Sequence, residues 1–173
     1  LHFLENGAAA LLGAVAMGVA PHLALRAIAD APAPPGRFEV LGDGPRVVID
    51  YAHTPDALAR TLTAARTITR GKLWVVFGAG GNRSRDKRAP LGRTAAVADH
   101  VVITSDNPRD EDPAQIAREV AAGTGDHEGV RIELDRAAAI RHTVGQAGVQ
   151  DVVVVAGKGH EAEQAFAGGT RPF

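Results

Sequence analysis

The stretch that decides the fold is Leu73-Trp74-Val75-Val76-Phe77, which runs directly into Gly78-Ala79-Gly80-Gly81. Five consecutive apolar residues are typical of a strand that is buried on both faces of a sheet. The glycines predict a turn at the end of that strand, and a helix is predicted around Gly92 to Ala98. The segment therefore predicts one strand–turn–helix unit of an α/β domain.

The same unit recurs on both sides of this stretch. Further strands are predicted at Val47–Tyr51, Val101–Thr104, Val130–Glu133 and Val152–Ala156. Helices with apolar residues at helical spacing are predicted to begin after the N-cap residues Thr54, Asp112 and Asp135. Repeated units with short links predict a Rossmann-like, doubly wound α/β domain with a mostly parallel sheet and helices on both faces.

The chain before this domain has a different composition. Residues 6–29 are rich in alanine and glycine and predict one or two helices, with an interruption at Pro21. A proline-rich linker of semi-rigid character follows. The predicted domains are a helical segment at 1–31, a linker at 32–36 and the α/β domain at 37–173. Because Leu1 is not a methionine, we expect the sequence to be part of a longer protein, with 1–31 the helical end of another domain.

Composition excludes several classes of function. The net charge of −1 provides no overall field that would recruit nucleic acid or an anionic membrane. The absence of cysteine excludes disulfides, thiolate zinc sites and cysteine nucleophiles, and it fits a cytoplasmic location. Aromatic residues make up only 4%, which argues against a base-stacking surface. The partners that remain are small molecules.

The most informative strand end is Ser105-Asp106-Asn107-Pro108-Arg109, directly after an apolar strand. In an open parallel sheet, ligands bind beyond the carboxyl ends of the strands. Asp106 could bind an ammonium group, and Arg109 could bind a carboxylate through two parallel hydrogen bonds. Together they suit a zwitterion such as an amino acid. The alternative is a turn in which Asp106 caps the backbone and Arg109 is solvated.

Two other strand ends carry polar residues. Asp50 closes a strand just before a helix N-terminus, a position that suits a ribose hydroxyl or a phosphate site. The alternative is that Asp50 only satisfies the turn. Glu161 follows the last strand, after Gly157-Lys158-Gly159-His160, and it is a second candidate partner for an ammonium group.

The glycine-rich loop after Phe77 continues as a cationic segment that contains Arg83, Arg85, Lys87 and Arg88. The glycines permit a close approach of the backbone to a ligand, and the cations suit a carboxylate or phosphate. Arg83 stands where a dinucleotide fingerprint requires glycine, and the Gly-Lys-Ser/Thr of a phosphate loop is absent. A solvated basic loop and an NAD(P)-dependent dehydrogenase remain as alternatives.

Together these segments resemble the C-terminal portion of the Mur ligases, and most closely the members that add meso-diaminopimelate to UDP-N-acetylmuramoyl-L-alanyl-D-glutamate in peptidoglycan biosynthesis. The matching stretches are Pro35–Glu39, Val48–Leu58, Gly78–Arg88, Asp106–Arg109 and Gly157–Glu161. The resemblance implies an ATP-dependent ligase that uses Mg²⁺ and binds an amino acid and a UDP-muramyl dipeptide. It also implies that the upstream domains of the same chain carry the magnesium ligands.

The resemblance also implies roles for single residues. It assigns diaminopimelate binding to Arg83, Asp106, Asn107, Pro108, Arg109, Gly157 and Glu161. It assigns ATP binding to Asn6, Arg37 and Asp50, and it assigns no catalytic residue and no metal ligand. One departure concerns adenine, because Phe3 stands where the family commonly has asparagine. Without a phosphate loop the chain alone is expected to be inactive, and a noncatalytic amino-acid-binding or assembly module is the other alternative.

Overall fold

The computed structural model describes residues 2–32 and 34–172, without the side chains of His2 and Phe3. The expected effect of Phe3 on adenine binding therefore concerns a side chain outside the described ones. The chain divides into two compact units, 1–34 and 35–173. The first unit contains two helices, α1 (His2–Ala16) and α2 (Pro21–Asp30). Pro21 starts the second helix because a first-turn position requires no backbone N–H.

The second unit is built on a six-stranded sheet with the strand order β1-β2-β6-β3-β4-β5. Its strands are β1 (Glu39–Leu41), β2 (Arg46–Asp50), β3 (Leu73–Phe77), β4 (His100–Ile103), β5 (Val130–Ile132) and β6 (Val152–Ala156). All neighbouring pairs are parallel except β1 with β2. This arrangement confirms the predicted, mostly parallel α/β sheet.

Helices cover both faces of the sheet, as its continuous apolar strands predicted. The helices of this unit are α3 (Pro55–Ile68), α4 (Arg88–Ala95), α5 (Pro113–Ala121) and α6 (Arg136–Gln146). The first three pack on one face with Val75, Val101 and Val154, and α6 packs on the other face with Val76 and Val153. Neighbouring residues of one strand thus enter opposite cores, so a polar residue would be costly at either position.

The predicted helix caps are present, because Thr54, Asp112 and Asp135 each accept a hydrogen bond from a backbone N–H of the first turn. Helix α4 differs from the prediction, since it begins at Arg88 and ends at Ala95 rather than running from Gly92 to Ala98. A short 3₁₀ turn, Arg85–Lys87, leads into it. The weak apolar pattern of this segment did not reveal that its first turn is buried.

Three strands were not predicted: β1 and the hairpin of β7 (Glu163–Phe166) and β8 (Gly169–Pro172). They are short, and β1 and β8 are largely exposed, so they lack the apolar runs that identified the core strands. In the described part of the chain, no helix has the length and apolarity needed to cross a membrane.

Candidate functional site

A cavity of about 430 Å³ opens at the carboxyl edge of the sheet. The segments that follow β2, β3, β4 and β6 form its walls, as expected for parallel strands that end at one edge. Of the residues predicted to bind the amino acid, the cavity is lined by Arg83, Asp106, Asn107, Arg109, Gly157 and Glu161. Pro108 is buried beside them and does not line the cavity.

Asp106 is a buried carboxylate that faces this cavity. Its residue is only 8% exposed, yet no described residue donates a hydrogen bond to either carboxylate oxygen. Gly157 leaves the space that this carboxylate occupies, because a Cβ atom at residue 157 would lie only 2.8 Å from Oδ2 of Asp106. The φ of Gly157 is +108°, a conformation that residues with side chains rarely adopt. The positive charge of buried Arg136 acts on Asp106 but supplies no hydrogen bond to its oxygens. Because a buried carboxylate without donors is costly, Asp106 suits an ammonium group that supplies them.

Arg109 is a half-buried cation whose position is fixed by the backbone. Its Nη1 donates hydrogen bonds to the carbonyl oxygens of Gly81 at 2.8 Å and Asn107 at 3.3 Å. Its own N–H bonds to the oxygen of Ala165, and its φ is +53°. Among the described residues Nε and Nη2 have no partner, so donors remain for a ligand carboxylate. Arg109 is therefore not the solvated turn residue of the alternative interpretation.

Glu161 is the second carboxylate of the cavity wall. Burial raises its pKa, but the hydrogen bond and the charge of Lys158 act together with Asn107 and Tyr51 to outweigh burial, and the pKa lies below its ordinary value. Glu161 is therefore ionised at neutral pH and offers a negative charge to the cavity.

The glycine-rich loop serves the packing of the protein itself. A Cβ atom on Gly78 would lie 2.2 Å from the oxygen of Thr104, and one on Gly81 would lie 1.9 Å from the oxygen of Pro108. These glycines let the loop after β3 pack directly against the loop after β4. The close approach that the sequence suggested is thus an approach to the neighbouring loop that carries Asp106.

The cationic segment contains two kinds of residue. Arg88 is buried and bonds to Glu119 at 2.6 Å and Glu111 at 2.9 Å, and Arg85 also pairs with Glu111. Among the residues that the structure describes, Arg83 and Lys87 make no ion pair, and both line the cavity. The solvated-loop alternative is wrong for Arg88, while Arg83 and Lys87 are the cations available to an anionic ligand.

The residues predicted to bind ATP lie outside the cavity wall. Asp50 accepts hydrogen bonds from the backbone N–H groups of Phe38 and Ala52, both at 2.8 Å, and from the Thr61 hydroxyl at 3.0 Å. Its carboxylate therefore organises the turn. Arg37 is exposed and lies over the Tyr51 ring at 4.4 Å.

Asn6 lies on α1 of the first unit and is exposed. In the described part of the chain, no three His, Asp or Glu residues are grouped so that they could hold a metal ion. Exposed Arg37 suits a phosphate, whereas Asp50 retains little capacity to accept further bonds. The ATP assignment therefore stays a prediction.

Sequence reasoning assigned no binding role to several residues of the site, among them Tyr51 and Lys158. Tyr51 lines the cavity, and Lys158 is buried directly beneath it at 2% exposure. A signal for Lys158 was present, since a lysine between two glycines directly follows an uninterrupted apolar strand. Its position predicted a turn, but not the burial of its ammonium group.

Comparison with known proteins identifies the family. A family model described as the Mur ligase, glutamate ligase domain, matches residues 36–159. The chain belongs to the Mur ligase family. This membership confirms the resemblance that the strand-end motifs indicated, and it argues against the dehydrogenase alternative.

Individual relatives of this Mur ligase domain agree. It is 57% identical over 145 residues to the UDP-N-acetylmuramoyl-L-alanyl-D-glutamate--2,6-diaminopimelate ligase of Ralstonia nicotianae, covering 80% of this chain and 28% of that protein. A solved structure of a ligase with the same name is 39% identical, with a TM-score of 0.75, and covers 98% of this chain and 36% of that one. The chain thus spans about a third of the length of these relatives.

A further structure is a bifunctional folylpolyglutamate synthase/dihydrofolate synthase from Yersinia pestis complexed with AMPPNP and a Mn ion. It is 26% identical, with a TM-score of 0.64, and covers 79% of this chain and 32% of that one. The α/β fold is therefore shared with a synthase as well as with the diaminopimelate ligase.

Proposed function

We propose that residues 35–173 bind the incoming amino acid in an ATP-dependent ligase that adds meso-diaminopimelate to UDP-N-acetylmuramoyl-L-alanyl-D-glutamate in peptidoglycan biosynthesis. The observation that carries this proposal is that Asp106 and Arg109 line the same cavity: the Asp106 carboxylate accepts no hydrogen bond from a described residue, and the Arg109 guanidinium has donors to spare. The names of the most similar relatives support the same substrate.

The charges of the cavity match an amino acid with two zwitterionic centres. Asp106 and Glu161 are the acceptors for an ammonium group, and Arg109 donates to the carboxylate of the same centre. Arg83 and Lys87 supply further positive charge on the neighbouring wall. Diaminopimelate carries a distal carboxylate that lysine lacks, so Arg109 favours diaminopimelate because its guanidinium would otherwise remain partly unpaired.

The contribution of this domain to catalysis is positioning. Binding of the distal centre fixes the amino acid, so that its other amine is held in one orientation for attack on the activated carboxylate of the dipeptide. ATP, with Mg²⁺ bound elsewhere in the longer chain, supplies the activation by phosphorylating that carboxylate. Arg37, exposed beside Tyr51, fits contact with a phosphate of the nucleotide. No residue of the described cavity is assigned a proton-transfer role.

A noncatalytic amino-acid-binding module is the second candidate. The observation that favours it is that every residue of the cavity wall belongs to residues 35–173, so that recognition requires no other part of the chain. The chain itself holds no phosphate loop, and ATP-dependent ligation by residues 1–173 alone is therefore not expected.

The test is a ligation assay with the longer parent protein, ATP, Mg²⁺ and the UDP-muramyl dipeptide. We expect phosphate release that requires both the dipeptide and the amino acid, with meso-diaminopimelate strongly preferred over L-lysine. L-Lysine is the matched control because it lacks only the distal carboxylate. Binding of diaminopimelate without ligation would support the noncatalytic module, and equal use of lysine would contradict the assigned substrate.

A further inference from the structure

Lys158 occupies an unusual position directly after β6. It is only 2% exposed, and its ammonium group donates three hydrogen bonds: to Oδ1 of Asn107 at 3.0 Å, to Oε2 of Glu161 at 2.9 Å and to the carbonyl oxygen of Glu163 at 2.7 Å. Each ammonium proton thus has one acceptor. Lys158 does not line the cavity, so it cannot contact a ligand there directly.

The first consequence concerns the orientation of the Asn107 amide. Its Oδ1 accepts from the Lys158 ammonium and also from the backbone N–H of Ala165 at 2.8 Å. Both groups can only donate, so the atom between them must be the oxygen of the amide. Asn107 therefore turns only its NH₂ group toward the cavity, where it also bonds to Glu161, and its remaining N–H can face a ligand carboxylate but not a ligand ammonium.

The second consequence concerns Glu161. The bond from Lys158 fixes one carboxylate oxygen, and the adjacent positive charge keeps the group ionised. One ammonium group thereby ties together the loop after β4, the loop after β6 and the start of the β7–β8 hairpin.

We propose that Lys158 is a positioning residue for the amino-acid site: it orients Asn107 as a donor and Glu161 as an acceptor, and so determines which groups of a zwitterionic ligand each can bind. This inference rests on the proposed function for the identity of the ligand. The orientation of the two side chains follows from the hydrogen bonds alone. A role confined to stability would need neither Asn107 nor Glu161 to be held in one particular orientation.

The first experiment needs no variant and uses residues 1–173. Lysine is present only at positions 72, 87 and 158, so ¹⁵N labelling of the side-chain ammonium groups gives three signals to assign. We expect the Lys158 ammonium protons to exchange slowly and to show hydrogen-bond couplings to Asn107 and Glu161. Exposed Lys72 and Lys87 are internal controls whose protons exchange rapidly. Rapid exchange at Lys158 would overturn the inference whatever the protein catalyses.

The second experiment measures ligation kinetics of the longer parent with Lys158→Met, which retains the apolar stem but removes the donors. We expect the KM for diaminopimelate to rise by about tenfold or more, by analogy with outer-shell residues that orient metal ligands, while the KM for ATP changes little. Because Glu161 loses its cationic neighbour, its pKa rises and the acidic limb of the diaminopimelate KM profile moves to higher pH.

A double variant separates this role from a general loss of stability. If Lys158 acts through Glu161, Lys158→Met combined with Glu161→Gln should bind diaminopimelate no worse than Glu161→Gln alone. The double variant also leaves no unpaired glutamate charge, so it remains informative if Lys158→Met does not fold. Thr143→Ala, which loses a buried hydrogen bond within α6 away from the cavity, is the stability control.

The outcomes distinguish the two proposals. No ligation by the unmodified parent would contradict the proposed function, and the exchange measurement would still decide the role of Lys158. Ligation by the parent with an additive effect of Lys158→Met and Glu161→Gln, and with no shift of the pH profile, would overturn the positioning role alone.

Discussion

The two edges of the central sheet use carboxylates in opposite ways. At the amino edge, Asp151 accepts hydrogen bonds from the backbone N–H groups of Lys72 at 2.8 Å and Gly148 at 2.9 Å and from the Trp74 indole at 3.0 Å. At the carboxyl edge, Asp106 is more deeply buried, and no described residue donates to its carboxylate. A carboxylate saturated by the protein holds loops together, whereas one left unsaturated at a cavity is available to a ligand.

The same comparison divides the acids of the carboxyl edge. Asp50 belongs with Asp151, because Phe38, Ala52 and Thr61 already satisfy it. Glu161 stands between the two types, since it bonds to the side chains of Lys158, Asn107 and Tyr51 while the residue still lines the cavity. Position at a strand end is therefore insufficient evidence of ligand binding, and it must be considered together with the internal donors of each carboxylate and its access to the cavity.

The largest effect is expected for Arg109→Ala in the longer parent protein. Loss of the guanidinium leaves a ligand carboxylate partly desolvated, which costs about 2–4 kcal/mol of transition-state binding, or roughly 30- to 900-fold in kcat/KM for diaminopimelate. Arg109→Lys should recover only part, because an ammonium group lacks the planar fork. The KM for ATP should change little. Arg93→Ala, an exposed arginine outside the cavity wall, is the control, and an equal loss in both would contradict the prediction.

The next effect is expected for Asp106→Asn, which keeps the shape of the side chain but removes its charge. We expect kcat/KM for diaminopimelate to fall by an amount equivalent to about 1.5–3 kcal/mol, the usual value of a hydrogen bond to a charged group. Steady-state kinetics with diaminopimelate and with ATP varied separately is the measurement. An unchanged kcat/KM for diaminopimelate would show that Asp106, like Asp151, has only a structural role.

The matching change at the other edge is Asp151→Ala, measured by denaturant unfolding of residues 1–173. Three donors lose their acceptor, and we expect the free energy of unfolding to fall by about 1–3 kcal/mol. In the parent protein, kcat/KM for diaminopimelate should stay unchanged once the variant is folded. A loss of kcat/KM greater than the loss of folded protein would show that Asp151 also contributes to ligand binding, and would contradict the distinction between the two edges.

The smallest effect concerns pH. The pKa of Glu111 is lowered to about 2, chiefly by the hydrogen bond from Arg88. The hydrogen bond from the Asn82 N–H and the positive charges of Arg88 and Arg85 lower it further. Because the folded-state pKa lies below the unfolded value of 4.5, this stabilisation is complete above that value and is lost as the pH falls toward 2. Glu111→Gln should therefore flatten the stability profile between these pH values. A profile as steep as that of the unmodified chain would exclude Glu111 as a contributor.

Much of the site could be predicted because its residues follow strands that are easy to recognise. Asp106, Arg109 and Glu161 directly follow, or lie within a few residues of, apolar runs, and parallel strands bring such ends to one edge. Arg88 was misinterpreted as a loop cation, since its two glutamate partners are 23 and 31 residues away in the chain. Pairing over such distances leaves no local pattern.

The sequence by itself determined the α/β class, the parallel strands, the three side-chain helix caps and the edge at which polar residues collect, because these depend on local periodicity and on residues adjacent to each element. Only the tertiary structure decided which polar groups are satisfied by the protein. Lys158 was assigned no role, yet its ammonium joins two strand ends and a hairpin. Hydrogen-bond saturation depends on donors from distant segments, so it is a property of the folded chain and not of any single motif.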